Sequence, residues 1–159
     1  MKNLVDFIIT QTPYRISLGG GGTDLPFYSN ERGGELITAA INQYMTVSIA
    51  SRPLDDKILV QTTDVQFCEE LDDISNNIVK ESLRYFNLSK AIQVATYSTI
   101  PSGIGLGTSS TLMVGLVNGF SMFTGQKLSK MDIGFIAHHI EREILGMEGG
   151  VQDQYIAAF

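Results

Sequence analysis

The chain has 159 residues, 43% of them hydrophobic, which is enough for one substantial core and cramped for two full domains. Its net charge of −6 excludes a protein drawn to nucleic acid or to an anionic membrane surface by its overall field, so a phosphate-bearing ligand must be gripped locally. Cys68 is the one cysteine, which rules out an internal disulfide and a thiolate metal cluster and suits a reducing, cytoplasmic setting. MKNLVDFIIT, broken by Asp6, has no secretory pattern, and the most apolar long window, residues 104 to 123, carries too many hydroxyl residues for a membrane span.

In chain order, Val5 to Ser17 holds two short β-favouring runs interrupted near Gln11 to Pro13, which predicts paired or bent strands and then a tight turn. The run Gly19 to Gly22 before Thr23 and Asp24 is more glycine than a hairpin requires and implies close approach of the backbone to something. Leu36 to Ala50 alternates through Ile37, Ala39 and Ile41, pauses at Asn42 and Gln43, and resumes with Met45, Val47 and Ile49, one long strand with room for a bulge. Lys57 to Thr62 and Ile92 to Thr99 read as further strands. Leu71 to Phe86 places apolar residues at 71, 74, 78, 79, 83 and 86 in helical phase, with Asp72 and Asp73 favouring its N-terminus.

A second helix, from about Ser109 to Phe123, turns Met113, Leu116, Val117 and Phe120 to one face. Its Gly115 and Gly119 each cost roughly 1 kcal/mol against alanine, which predicts a compensating close contact with a neighbouring element. A third starts at Ser129, where Ser-Lys-Met-Asp resembles a capping arrangement, buries Ile133, Ile136, Ala137, Ile140 and Ile144, and ends near Gly146; a fourth opens at VQDQYIAAF. Met113, Met122, Met131 and Met147 read as core filler, and His138 and His139 as helix residues without chemistry, since no metal-ligand spacing surrounds them. The order of elements predicts an α+β two-layer sandwich, a mixed sheet with helices on one face.

Pro101 to Phe120, PSGIGLGTSSTLMVGLVNGF, reads as a phosphate cradle. Gly103, Gly105 and Gly107 let backbone amides approach an anion, and Thr108, Ser109 and Ser110 stand where a helix begins and its N–H groups lack partners. The spacing fits neither a dinucleotide-binding turn, because position 108 is threonine, nor a Walker loop, because no Gly-Lys-Ser or Gly-Lys-Thr occurs. The plainer alternative is a glycine-containing turn with Ser or Thr as helix cap.

Three stretches together, TPYRISLGGGGTDLP (12 to 26), PSGIGLGTSST (101 to 111) and EREILGMEGGVQDQY (141 to 155), resemble the GHMP kinase superfamily of small-molecule kinases. The resemblance covers nearly the whole chain and corresponds to the N-terminal half of a typical member. It implies a ribosomal protein S5 domain 2-like fold, an ATP-binding domain over residues 1 to 159 with the C-terminal domain absent and the chain truncated at Phe159, and use of ATP with magnesium. GGGTDLP and GGVQDQYIAAF look most like the members that phosphorylate D-glycero-D-manno-heptose 7-phosphate to the 1,7-bisphosphate, with fucokinase and galactokinase patterns as alternatives.

The resemblance also implies roles. Pro101, Gly103, Gly105, Leu106, Gly107, Thr108, Ser109 and Ser110 would surround the ATP phosphates; Ser109 and Glu141 would hold magnesium, which takes hard oxygen ligands. Asp153 would be the general base and Arg15 its partner, with Arg15, Gly21, Gly22, Thr23, Asp24 and Asp153 around the acceptor. Each has a plainer alternative: a cap for Ser109, a solvated helix acid for Glu141, a surface charge for Arg15 and a turn aspartate for Asp24. The galactokinase pattern has a glutamate and a histidine where Gly21 and Gly22 stand, and the room they leave suits a larger or phosphorylated sugar. A sugar phosphate and ATP are the implied partners, with neither nucleic acid nor membrane, and a complementary C-terminal chain or a homo-oligomer would complete the fold. The rival class is a non-catalytic module that binds nucleotide or sugar phosphate through the same loops.

Overall fold

The computed structural model describes residues 6 to 101 and 103 to 159; Val5, where the first predicted run begins, lies outside them. Five strands form one mixed sheet in the order β1-β2-β5-β3-β4, with β1 Phe7–Gly19, β2 Ile37–Ser51, β3 Ile58–Gln61, β4 Val65–Cys68 and β5 Ile92–Ser98. Neighbours are antiparallel except β3 and β5. The helices are α1 Pro26–Arg32, α2 Asn77–Tyr85, α3 Thr108–Phe123, α4 Lys130–His139 and α5 Gln152–Ala158. Among the described residues no helix is long and apolar enough to cross a membrane.

α3 lies against β1 and β2 and is flanked by α2, α4 and α5, so twelve of its sixteen residues are buried and its apolar surface runs all round. Its glycines permit the close approach: a Cβ at Gly119 would stand 2.5 Å from Ile49 Cδ1 and one at Gly115 3.0 Å from Thr12 Oγ1, while Thr10 donates its hydroxyl to the Gly115 carbonyl at 2.9 Å. The core joins Val47, Ile49, Ile92 and Val94 of the sheet to Met113, Leu116, Val117 and Phe120 of α3.

The first run is a single strand whose register slips between Pro13 and Arg15 and absorbs the break, the bent alternative and not the paired one. Three expectations change. The predicted helix from Leu71 to Phe86 divides: a short turn at Leu71–Asp73 closes in a reciprocal Glu70–Asp73 capping box, and α2 starts afresh where the Asn76 side chain accepts the N–H groups of Ile78 and Val79 at 3.1 and 3.2 Å. Such local side-chain acceptors compete with continuous helix. Ile144 is exposed because the chain turns into a π-helical segment at Ile140–Ile144, which rotates it off the predicted stripe. Met122 and Met131 are half exposed, whereas Met113 fills the core. Ser129 and Asp132 form the anticipated capping box.

Candidate active site

Gly103, Gly105 and Gly107 all take positive φ, 84°, 80° and 73°, a region that side chains rarely enter. Gly107 is the N-cap of α3, and no side chain among the described residues caps it; Thr108, Ser109 and Ser110 belong to the first turn instead. The Ser/Thr-cap alternative therefore fails, and the positive end of a sixteen-residue helix is left open. It opens onto a cavity of about 1010 Å³ whose lining includes Pro101, Gly103, Gly105, Gly107, Thr108 and Ser109 of the loop together with Arg15 and Asp153.

Arg15 reaches that cavity through a fault in its own strand. Ile8, Thr10, Thr12 and Tyr14 alternate inward, and the register slip after Pro13 turns Arg15 inward as well, directly after Tyr14. The Arg15 guanidinium donates to both oxygens of Asp153 at 2.8 and 2.7 Å and to the Gly105 carbonyl at 2.6 Å, a planar fork matched to a carboxylate. The pair is mostly buried, with side chains 10% and 20% exposed. Beside it, the Tyr14 hydroxyl bonds Ser98 Oγ at 2.6 Å, and Ser98 in turn exchanges bonds with the amide and carbonyl of Ile100, which ties the start of the glycine loop to β1.

Glu141 is fully buried at the π-helical segment. Ser110 Oγ lies 3.0 and 2.8 Å from its two oxygens, and Gln154 Nε2 donates to Oε2 at 2.5 Å and to Ser110 Oγ at 3.1 Å. So Ser110 meets the carboxylate, while Ser109, its neighbour one position round the helix, lines the cavity. No ion pair to Glu141 occurs among the described residues, and a buried carboxylate held only by a hydroxyl and an amide is an environment that a divalent cation would compensate. Gln154, itself fully buried, was not singled out from the sequence; its place one residue after Asp153 was the available signal.

The second glycine-rich stretch meets the third. Asp24 is buried and its Oδ2 accepts the backbone N–H of Gln152 at 3.0 Å, fixing the start of α5 and so the residue that follows, Asp153. The Thr23 hydroxyl is engaged with the carbonyls of Gly20 and Glu35, at 2.7 and 2.8 Å, whereas Gly22 is open. Arg142 donates to the carbonyls of Met147, Glu148 and Gly150 at 3.2, 3.0 and 3.2 Å, moulding the loop ahead of α5. Two of the glycines in that loop are spatial necessities: a Cβ at Gly149 would meet Arg142 Nη2 at 2.5 Å, and one at Gly150 would overlap the Asp24 carboxylate. Burial and the nearby Arg142 charge push the His138 imidazole below its ordinary range, which favours the neutral ring.

A glycine loop thus opens a long helix, with a guanidinium–carboxylate pair at its mouth and a buried glutamate behind it. The chain belongs to the GHMP kinases: the family's N-terminal domain, "GHMP kinases N terminal domain", matches residues 76–159. It is 38% identical over 96% of its length to the D-glycero-alpha-D-manno-heptose 7-phosphate kinase of Campylobacter jejuni, covering 48% of that protein, and 28% identical to the galactokinase of Thermotoga maritima, covering 43%. The crystal structure of a D-glycero-D-manno-heptose 1-phosphate kinase from Bacteroides thetaiotaomicron superposes with a TM-score of 0.86 at 31% identity, over 95% of this chain and 53% of that one. The chain thus spans about half the length of these relatives. Its α+β sandwich is the ribosomal protein S5 domain 2-like fold of these kinases.

Proposed function

We propose that these 159 residues form the N-terminal, ATP-binding domain of a kinase that transfers the γ-phosphoryl group of ATP to a hydroxyl of D-glycero-D-manno-heptose 7-phosphate, giving the 1,7-bisphosphate, and that a C-terminal domain completes the enzyme. The observation that carries this reading is the two-point bond from Arg15 to Asp153 at the mouth of the glycine loop. It places a held carboxylate beside the open N-terminus of α3, the two groups that in-line phosphoryl transfer asks of a protein.

In this reading the loop from Pro101 through Gly103, Gly105, Leu106, Gly107, Thr108, Ser109 and Ser110 surrounds the triphosphate with amides and hydroxyls. The acceptor lies along Gly21, Gly22, Thr23 and Asp24, with its reacting hydroxyl at Asp153. Asp153 takes the hydroxyl proton as oxygen bonds to the γ-phosphorus, the bond to the bridging oxygen breaks and ADP departs. Arg15 keeps the carboxylate aimed and balances its charge. Glu141 and the Ser109 hydroxyl are hard oxygen donors suited to magnesium, with Ser110 and Gln154 holding the carboxylate in place; bound there, the ion would neutralise phosphate charge. Such an enzyme would work in the cytoplasm, where ATP is supplied and where the single thiol of Cys68 would stay reduced.

The heptose choice rests on the Campylobacter relative and on the open space at Gly22. The relatives' names differ on whether the sugar carries its phosphate at carbon 7 or carbon 1, so both belong in the test. Phosphorus NMR with magnesium ATP and heptose 7-phosphate, heptose 1-phosphate, galactose or fucose should show a new sugar phosphate resonance with the 7-phosphate. Product from another sugar would replace the substrate. Broadened ATP resonances without product, even with a complementary C-terminal half added, would favour the non-catalytic binding module.

A further inference from the structure

Gln152 stands apart from the residues already placed. Its backbone N–H is taken by Asp24, but its carboxamide makes no hydrogen bond with any described residue: Oε1 is out of reach of solvent and has no partner. Its Nε2 lies 3.5 Å from where a Cβ at Gly21 would stand, and Ser17 Oγ lies 3.1 Å from the same point. Ser17 is exposed, and its hydroxyl also has no bond to a described residue. It follows Arg15 by two positions on β1, and Gln152 precedes Asp153 on α5, so the two elements that carry the Arg15–Asp153 pair also carry these two unengaged polar groups. Gly21 separates them and has no side chain to fill the gap.

A buried acceptor without a donor is unfavourable, and natural structures keep few of them. Because no internal bond anchors the carboxamide, it can turn without losing one. Turned toward the gap at Gly21, its oxygen would take a ligand hydroxyl there. We propose that Gln152, assisted by Ser17 across the gap at Gly21, is a specificity-determining residue that pairs with a hydroxyl of the acceptor sugar next to the one that reacts. The chemistry selected is a polyol with adjacent hydroxyls; a site built to pair a hydroxyl rejects an analogue without it far more strongly than a site lined with apolar groups. This rests on the reading of the chain as a sugar kinase domain.

The test is calorimetric titration of the full chain with D-glycero-D-manno-heptose 7-phosphate, galactose and fucose, and separately with magnesium ATP, alongside urea unfolding. Gln152→Met keeps the length of the side chain and removes its polar atoms. It should weaken acceptor binding tenfold or more, leave the ATP Kd within twofold, and leave the urea midpoint unchanged or higher, because an unsatisfied group has been deleted. Gly21→Ala, at a position without positive φ, should weaken the acceptor alone by closing the gap. If another sugar binds in place of the heptose phosphate, the substrate named above fails while the role of Gln152 is still read on the sugar that binds. Unchanged acceptor affinity in both variants, a lowered midpoint in Gln152→Met, or no sugar binding to the unsubstituted chain would overturn the proposal.

Discussion

Replacing Gly107 or Gly105 by alanine separates backbone strain from the geometry of the Arg15–Asp153 pair. Both residues sit at similar positive φ, 73° and 80°, so both substitutions carry the left-handed penalty of about 1–2 kcal/mol. At Gly105 the new methyl meets no described residue within 4 Å; at Gly107 it would stand 3.3 Å from Arg15 Cζ, 3.3 Å from Asp153 Oδ2 and 3.4 Å from Arg15 Nε. That crowding must push the ion pair aside by a few tenths of an ångström, weakening two charge-assisted bonds that are worth about 1.5–3 kcal/mol each when well formed. Half of one such bond, about 1 kcal/mol, is a reasonable loss for so small a shift when water can partly replace it. Gly107→Ala should then cost about 2–3 kcal/mol and Gly105→Ala about 1–2. With a urea dependence of about 2 kcal/mol per molar, the two midpoints should differ by roughly 0.5 M. Circular dichroism at equilibrium measures this. In an Arg15→Met, Asp153→Met background the difference should shrink. Coincident midpoints in the native background, or a difference that persists without the pair, would refute the reasoning.

Asp153→Asn should bind ATP as the parent does yet, in the assembled enzyme, turn over about 10²–10⁴-fold more slowly, measured as kcat with KM for ATP unchanged. Asp24→Ala removes the buried acceptor of the Gln152 N–H and should destabilise the chain by about 1–3 kcal/mol, with faster hydrogen exchange at the Gln152 amide as its local sign. Asp132 is held below the usual carboxylate range by the Ser129 hydroxyl and then by the Ser129 amide, so the unfolded chain binds its proton at higher pH than the folded one. The stability this confers is complete above the ordinary carboxylate pKa of about 4 and is lost as pH falls through the lowered folded value. Asp132→Asn should therefore flatten thermal stability against pH below about 4 and leave the profile between about 5 and 7 parallel to the parent. Gly119→Ala must displace Ile49 at the tightest point of the helix–sheet contact, and a loss of about 1–3 kcal/mol in urea unfolding is expected.

Periodicity was enough for β2, β3, β5, α3 and the capped start of α4, because each is set by local alternation, helical phase or a side chain bonded to its own backbone. The glycines of the cradle were legible for a related reason: Gly103, Gly105 and Gly107 mark conformations that other residues resist, and the absence of a side chain is written in the sequence. Gly115 and Gly119 likewise announced a close contact without saying with what, and the structure supplies Thr12, Val47 and Ile49.

What the sequence could not carry is direction. Nothing local shows that a register slip beyond Pro13 turns Arg15 to the same side as Tyr14, because the slip belongs to the pairing of β1 with a strand more than twenty residues away. Ser109 and Ser110 are equivalent as letters, and only the packing of α3 against the π-helical segment sends one to Glu141 and leaves the other on the cavity. Asp24 reads from the sequence as either an acceptor contact or a turn aspartate bonded to its own backbone, and only the fold lays Gly150 and Gln152 against its carboxylate. Residue types determined which chemistry was available to this chain; long-range packing decided which atoms face one another, since hydrogen bonds and charges act over a few ångströms and their partners here lie up to 138 positions apart.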